Sequence, residues 1–547
     1  MVKRMAAVWV VSLLLVGTAG AGTVEKWGRF SVSYRNSRWE GNPFDVELRG
    51  IFTSPTGRVL TQWGFHAGGD VWCLYFMPDE EGTWSFRTVS SDADLDGKEG
   101  TLVCSASSLP GKLVADGSRW RLSDAGGDAP VIWNPPTADD AQWGFRGREL
   151  SDRSVGEAID LADEVVGARV IGIDELLIVP TGWARDWPQD SVPYVVGREG
   201  EEFHLPFWDR LNAKLDAIRD RGMGHYIMFY SDDELTPDIF GMTPGSQAEL
   251  RFFRYAVARL ACYPIVLWDS GIDISEYRDR SWCDWFVGWF NEHDPWQHPT
   301  GSRGIGVAVE VLTQLGDHAD MSWRRRVDEI ARGALLRGDM PEGATYHSSG
   351  GWDIPSRAEL LCMLALPVPT AHTDHWRPFI GRGDWTQDKI RTVLWRCALS
   401  GGQACCVDYN QGVLDKDTLR VGSAYIGHCT RFFREELRCD IAELHPHDEL
   451  IVAGENAIVA AKPGAEYVLY DFDGGTVVVD LSHASAELTA RWYNPRRGEF
   501  VAAAEAVGGG QAAFNAPTGG SGNDWVLHLI LSEGELNSNP GSSRALR

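Results

Sequence analysis

The chain has 547 residues, 44% of them hydrophobic, and its 51 basic and 77 acidic residues give a formal net charge of −26. This length exceeds one ordinary domain and suffices for several hydrophobic cores. The negative balance argues against nucleic acid or an anionic membrane surface as a partner, because binding phosphates needs clustered Lys and Arg.

The N-terminus has the pattern of a secretory signal. Lys3 and Arg4 precede an apolar run from Ala6 to Val16, and Ala19-Gly20-Ala21 has the small residues of a cleavage site. We therefore predict a signal peptide over residues 1–21 and an extracellular or periplasmic protein. An uncleaved membrane anchor is the alternative, but the run is shorter than the ~20 residues that span a bilayer, and we expect no membrane insertion.

Residues 23–113 predict a β-sandwich. Short runs with apolar and polar residues in alternation (FSVSY, DVELRGIF, VWCLYFMP, GTWSFRTVSS) are separated by turn residues, which is typical of antiparallel strands in a sandwich. The ten cysteines of the chain are too dilute for a disulfide scaffold. Cys73 and Cys104 are the candidate pair for a single bridge.

Residues 114–445 alternate between helical and strand patterns. The predicted helices are Val155–Val166, Phe207–Arg221, Ser246–Ala261, Asp284–Phe290, Ser322–Leu336, Arg357–Leu364 and Thr386–Leu399. The predicted strands are Pro130–Trp133, Ala168–Ile173, His225–Tyr230, Ile265–Trp268, Gly304–Val309, Thr345–His347, Val368–His372 and Gln403–Val407. This alternation indicates a (β/α)8 TIM barrel. An open doubly wound sheet is the alternative, disfavoured because no G-x-G-x-x-G follows an early strand.

Residues 446–533 return to β patterns, with runs such as EYVLYDF, TVVVDLS and WVLHLIL. They predict a C-terminal β-sandwich, and we expect the polar tail over residues 534–547 to be disordered. The predicted fold class is therefore multidomain, α/β plus all-β, with a central TIM barrel flanked by two β-sandwich domains.

The strongest functional pattern lies within residues 254–277. A helical run is followed by the apolar strand Ile265–Trp268, and the chain then opens into a turn with Asp269, Asp273 and Glu276. A (β/α) barrel presents its catalytic groups at such C-terminal strand ends.

The hexapeptide WDSGID, residues 268–273, resembles the W-x-x-G-N-E signature that ends strand 4 in retaining glycosidases of clan A. The resemblance implies that Asp273 is the acid/base, and that Asp374, after strand 7 in VPTAHTDHW, is the nucleophile. Retention needs two carboxyl groups about 5–5.5 Å apart.

The chain departs from the pattern at Ile272, where the clan has Asn, and in its two Asp, where Glu is common. Barrels that resemble apiosidases also end strand 4 in Asp. Helix capping is the structural alternative for Asp273, and an ion pair with Arg377 or Arg396 is the alternative for Asp374.

Other strand ends and loops supply the rest of the predicted site. The candidate substrate-binding residues are Trp376, Tyr346, His347, His372, Glu276, Asp232 and Trp183. A flat indole suits the C–H face of a sugar, while the His and acidic residues would orient the nucleophile or bind hydroxyls. Core packing, helix capping and solvent exposure are the alternatives. No D-x-D-x-D-G loop, G-x-S-x-G elbow or H-E-x-x-H motif is present, so we predict no metal and no cofactor.

The flanking regions carry resemblances of their own. Asn42–Phe44, the Pro55-Thr56-Gly57 turn and the GTWSF hairpin resemble an immunoglobulin-like domain that precedes barrels in bacterial carbohydrate-active proteins. WYNPRRGEF and NDWVLHL resemble a C-terminal sandwich of collagen-binding type, a label that we do not extend to function. The whole pattern implies a secreted glycosidase that cleaves O-glycosidic bonds in a polysaccharide or oligosaccharide with retention. The alternative is a non-catalytic glycan-binding or cell-surface protein on a barrel that has lost the chemistry.

Overall fold

A computed structural model gives the fold of the protein. It describes residues 22–117, 119–125, 132–134, 156, 159–173, 192–230, 237, 241–271, 274, 277–302, 342–344, 347–349, 357, 361, 369–372, 387–400, 404–405, 407–408, 416–454, 456–505, 508–517 and 524–532. Within these ranges it is a mixed α/β structure with several sheets. The predicted signal peptide and C-terminal tail lie outside the described residues.

The N-terminal region forms a sheet with the strand order β1-β7-β6-β3-β4-β5-β2. Its strands are β1 Gly22–Glu25, β2 Phe30–Arg35, β3 Leu48–Thr53, β4 Val59–Gly68, β5 Val71–Phe76, β6 Gly82–Ser90 and β7 Glu99–Ser105. The long strand β4 pairs with β3 through its first half and with β5 through its second half. Phe52 and Phe76 stack at 3.7 Å in the core that these strands share.

The proposed bridge between Cys73 and Cys104 does not form. Both thiols are free and buried, and β5 and β7, which carry them, are separated in the sheet by three other strands. Burial raises the pKa of Cys73 to about 12. The sequence spacing of two cysteines could not show that their strands are not neighbours.

The central region is built on short parallel strands. They are β10 Ile132–Asn134, β11 Val170–Ile173, β12 Gly224–Tyr230, β13 Val266–Gly271, β14 Thr300–Gly301, β15 His347–Ser349, β16 Thr370–His372, β17 Ala404–Cys405 and β18 Val407–Asp408. One sheet has the order β14-β13-β12-β11-β10-β18 and another the order β15-β16-β17. The first strand therefore pairs with the last, through Trp133 opposite Val407 and Asn134 opposite Asp408.

Two predicted strands are described only in part. The fifth was predicted over Gly304–Val309, which lies outside the described residues; shortly before it, β14 pairs with β13 through Thr300 opposite Trp268. The sixth was predicted over Thr345–His347, of which only His347 is described, and β15 extends beyond it to Ser349. Pairing with β16 decides its register, because His347 lies opposite Thr370.

A hairpin precedes the parallel strands and packs against them. It consists of β8 Leu113–Asp116 and β9 Arg119–Leu122. Leu113, Trp120 and Leu122 form one buried cluster with side chains of the parallel strands, among them Tyr226 and Leu267.

The helices pack around the parallel strands. The α-helices are α1 Leu205–Arg219, α2 Gln247–Leu260, α3 Arg280–His293, α4 Gln387–Leu399 and α5 Lys416–Arg431, and Leu161–Val166 and Phe432–Glu436 are π-helical. The helices predicted over Ser246–Ala261 and Thr386–Leu399 are confirmed as α2 and α4. The prediction over Ser322–Leu336 lies outside the described residues.

The helix α5 was not predicted. Its sequence contains glycine, which the structure explains by a close contact between two segments. Gly427 lies inside it, and a Cβ at this position would come within 1.7 Å of the carbonyl oxygen of Val165. Glycine therefore lets α5 approach the π-helical segment, although glycine disfavours a helix on its own.

The C-terminal region consists of antiparallel strands. They are β19 His445–Pro446, β20 Ile451–Ala453, β21 Ala457–Lys462, β22 Glu466–Asp471, β23 Thr476–Asp480, β24 Leu488–Asn494, β25 Glu499–Glu505, β26 Gln511–Asn515 and β27 Trp525–Leu531. They form one sheet of order β19-β21-β22-β27-β24-β25 and a second of order β20-β23-β26. Val479 from the second sheet and Leu527 from the first share one buried core.

Both outer regions are fastened to the central helices. Arg251 on α2 donates two hydrogen bonds to the Asp45 carboxylate, at 2.6 and 3.0 Å. Arg391 on α4 donates two to the Asp524 carboxylate, at 2.6 and 2.7 Å, and Trp395 stacks on Tyr470 at 5.8 Å. In the part of the chain that the structure describes, no helix is long and apolar enough to cross a membrane.

Candidate functional site

The carboxyl ends of the parallel strands define the candidate site. β12 ends at Tyr230, β13 at Gly271 and β16 at His372. Parallel neighbours end at the same edge of their sheet, which is where ligands bind in open α/β sheets and in barrels. The predicted catalytic pair continues from two of these ends, since Asp273 and Asp374 each lie two residues further along the chain.

Most of the predicted site residues lie outside the described residues. They are Asp273, Asp374, Trp376, Tyr346, Glu276, Asp232 and Trp183. The structure therefore gives the strands that lead to Asp273, Asp374 and Asp232. The separation of the two catalytic carboxyl groups stays a prediction.

The two predicted histidines lie in neighbouring strands at different levels. His372 is the last residue of β16 and so lies at the carboxyl edge, as expected. His347 was predicted at the end of its strand, but it lies opposite Thr370, and Ser349 is the residue level with His372.

Asp269 is the described carboxylate nearest to the predicted acid/base. It was expected in the turn but lies within β13, where it is fully buried. The hydroxyl of Tyr226 donates to its Oδ2 at 2.6 Å, and the amide of Gly271 donates to its Oδ1 at 3.0 Å. These two donors satisfy the buried carboxylate within the strand. Through the bond to Gly271, Asp269 also fixes the backbone immediately before residue 272.

Gly271 is required by its conformation and by its surroundings. Its φ is 150°, and a Cβ here would lie 2.5 Å from the carbonyl oxygen of Tyr230. The chain therefore leaves β13 pressed closely against the end of β12, which any larger residue would prevent.

Trp268 begins the WDSGID motif but faces away from the candidate site. Its ring packs against Phe229 and Phe290 on the helical side of the sheet, and its Nε1 donates to Asp294 at 2.8 Å. Burial opposes the charge of Asp294, but contacts from His298 and Trp268 outweigh it and hold the pKa of this carboxyl below its usual range. The conspicuous Trp of the motif is thus a structural residue.

Among the described residues, no group of three or more His, Cys, Asp or Glu side chains is arranged to hold a metal ion. What the described part of the candidate site offers is a buried carboxylate, a tightly packed strand exit and the edge at which neighbouring strands end.

Two segments of the chain match family models. Residues 23–91 match a model described as a domain of unknown function, DUF5060, and residues 446–530 match one described as "putative collagen-binding domain of a collagenase". The parallel strands lie between these two segments. No curated protein matches the chain.

Several solved structures that resemble the chain are described as glycoside hydrolases. A "putative glycoside hydrolase" from Bacteroides vulgatus ATCC 8482 superimposes with a TM-score of 0.68 at 15% identity, covering 93% of this chain and 100% of that one. A glycoside hydrolase family 5 structure from the same organism gives 0.52 at 14% identity, with 80% and 97% covered. Another glycoside hydrolase gives 0.52 at 13% identity, with 78% and 98% covered. The chain therefore has a mixed α/β fold found in glycoside hydrolases.

Proposed function

We propose that the chain is a secreted retaining glycoside hydrolase, with Asp273 as acid/base and Asp374 as nucleophile. The observation that carries the proposal is the parallel arrangement of the strands that lead to them. β13 and β16 belong to a set of strands whose first and last members pair, in a fold that glycoside hydrolases share. Both carboxylates then follow strand ends on the edge where such folds bind substrate.

The proposed architecture is a closed (β/α)8 barrel of the kind that resembles apiosidase-like enzymes of clan A. The strand order and the pairing of β10 with β18 support it. An immunoglobulin-like sandwich over residues 23–113 and a C-terminal sandwich over residues 446–533 would flank the barrel. Their contacts with α2 and α4 support a role as braces rather than as catalysts.

The proposed reaction has two steps. Asp273 protonates the glycosidic oxygen while Asp374 attacks the anomeric carbon, forming a glycosyl-enzyme ester; Asp273 then removes a proton from the water that hydrolyses it. Trp376 and Trp183 would stack on sugar rings. His372 and Tyr346 would orient the nucleophile, and Glu276 and Asp232 would bind hydroxyls. His347 is left out because it lies opposite Thr370, two residues before His372 at the end of β16.

Sugar release from a broad panel of plant and algal polysaccharides tests the activity. We expect the mature protein to release sugar, and Asp273→Asn and Asp374→Asn each to lower the rate by about a thousandfold or more. Asp116→Asn is the matched control, because Asp116 is an exposed hairpin carboxylate. Release that survives both substitutions would contradict the site. Binding of one glycan without any release would instead favour the non-catalytic alternative.

Azide rescue separates the two roles. A retaining enzyme with a disabled nucleophile lets azide attack the substrate directly, giving a glycosyl azide of inverted configuration, whereas a disabled acid/base leaves the covalent intermediate for azide to trap with net retention. We expect Asp374→Gly to give the inverted azide and Asp273→Gly the retained one. The opposite assignment by NMR of the product would exchange the two roles.

Secretion has its own test. The intact mass of the protein recovered from the periplasm or the medium should correspond to cleavage after Ala21. A mass that retains residues 1–21 would support the membrane-anchored alternative.

A further inference from the structure

A buried ion pair lies behind the turn that follows β13. Glu249 is the third residue of α2, and Arg278 lies just before α3. Their side chains are 0% and 1% exposed, with Arg278 Nη2 3.5 Å from Glu249 Oε1. Burying two charges is costly unless further hydrogen bonds satisfy them, so the surroundings of this pair decide what it does.

Glu249 gathers donors from three elements. Its Oε1 accepts from the hydroxyl of Tyr230 at 2.7 Å, its Oε2 accepts from the amide of Gly245 at 2.7 Å, and Nε1 of Trp282 lies 3.2 and 3.3 Å from the two oxygens. The guanidinium of Arg278 lies over the rings of Tyr230 and Trp282. The carboxylate thus joins the end of β12, the loop before α2 and the start of α3.

Arg278 extends this network to the backbone. Its Nη2 donates to the carbonyl of Met242 at 2.8 Å, and its Nη1 donates to that of Tyr277 at 3.1 Å. Its own amide donates to the carbonyl of Ile274 at 2.8 Å, and Ile274 is fully buried. The backbone turn from Ile274 to Arg278 is therefore tied to the buried pair through Arg278, whose side chain and amide both belong to it.

We infer that Glu249 and Arg278 are a positioning pair for the acid/base. They hold the chain at Ile274, while Asp269 holds it at Gly271 from the inner side, so the link that carries Asp273 is anchored at both ends. The inference rests on the proposed function for the role of Asp273. Neither Glu249 nor Arg278 is expected to touch the substrate.

The test compares two leaving groups on the sugar that the screen identifies. A dinitrophenolate leaves without protonation, whereas a natural glycoside needs the acid. If the pair positions the acid, Glu249→Gln should lower kcat/KM, which reports the first step only, for the natural glycoside by at least about a hundredfold, the usual contribution of a general acid. It should lower kcat/KM for the dinitrophenyl glycoside by less than about threefold. Arg278→Lys, which keeps the charge but loses the planar fork, should show the same pattern more weakly. Equal losses on both substrates would overturn the inference.

Glu466→Gln is the matched control for loss of a buried carboxylate. Glu466 is 1% exposed, begins β22 of the C-terminal sheet, and accepts hydrogen bonds from His528 and from the amides of Arg438 and Cys439. Glu466→Gln should lower stability without separating the two leaving groups. If it separates them as Glu249→Gln does, the effect is general and the inference fails.

If the wild type releases no sugar, the proposed function fails but the inference can still be tested. Hydrogen exchange provides that test because it requires no activity. Peptides that span residues 271–278 should exchange at least about tenfold faster in Glu249→Gln than in the wild type, because an anchor of the turn is lost. They should be unchanged in Glu466→Gln. Unchanged exchange in Glu249→Gln would overturn the inference.

Discussion

His225 should make the folded protein sensitive to acid. It is the second residue of β12 and 1% exposed, with its ring against Tyr263 at 5.5 Å. Its Nε2 is buried and has no hydrogen-bond partner among the described residues. Burial, with a smaller effect of His298, lowers the pKa of His225 to about 3.

The sign and size of the effect follow from linkage. The unfolded chain takes up a proton at this histidine near pH 6.5, whereas the folded chain does so only near pH 3. Between these values the unfolded state binds one more proton, so the free energy of unfolding falls by about 1.4 kcal/mol for each pH unit lost. The stabilisation is fully present above pH 6.5 and loses roughly 5 kcal/mol by pH 3.

Urea titrations of the wild type and of His225→Gln, between pH 8 and pH 4.5, measure this contribution. The contributions of all other titrating groups cancel when the free energies of unfolding of wild type and variant are subtracted at each pH. The transition followed must be the one that reports on the central sheet. The slope of the variant should be smaller by about 1.4 kcal/mol per pH unit below pH 6. His483→Gln, which removes an exposed imidazole, controls for loss of a histidine. Parallel slopes for wild type and His225→Gln would refute the reasoning.

Three further predictions concern the outer regions. Asp524→Ala should lower the free energy of unfolding by about 3–5 kcal/mol in urea titrations, because it leaves Arg391 buried without its main partner. Adding Arg391→Met should restore part of the loss. Additive losses in the double variant would contradict this account. Arg251→Ala should cost about 1–2 kcal/mol in the same measurement, discounted because its partner carboxylate is partly exposed; no change would show that the N-terminal contact contributes nothing. Iodoacetamide should label Cys73 and Cys104 in urea without reductant but not in the native protein, as mass spectrometry can check; resistance in urea would reveal a bridge that the structure lacks.

Local sequence patterns predicted the regular elements well where local forces decide them. α2 begins after Ser246, whose hydroxyl accepts from the amide of Glu249 at 3.2 Å, and α3 begins after Asp279, which accepts from the amide of Trp282 at 2.9 Å. Such caps and a continuous apolar face can be identified in a sequence. α5 was not predicted because it contains two glycines, of which Gly427 is explained only by its contact with Val165.

The candidate site was predictable only in outline. The strand end before Asp273 follows from the sequence, but the burial of Asp269 depends on Tyr226 in the neighbouring strand, 43 residues away. Glu249 and Arg278 were not among the predicted site residues, because a buried charge differs from an exposed one only through partners that distant segments supply.

The pairing of β10 with β18 also sets a schedule for the newly made chain. About 270 residues separate Asn134 from Asp408, and at ribosomal rates of about 5–20 residues per second their synthesis takes roughly 15–55 s. Throughout that interval one side of β10 has no partner strand, and an unpaired strand edge invites aggregation. Shielding of this edge during synthesis and export, rather than the stability of the finished protein, is therefore the step at which expression in a foreign host would fail first.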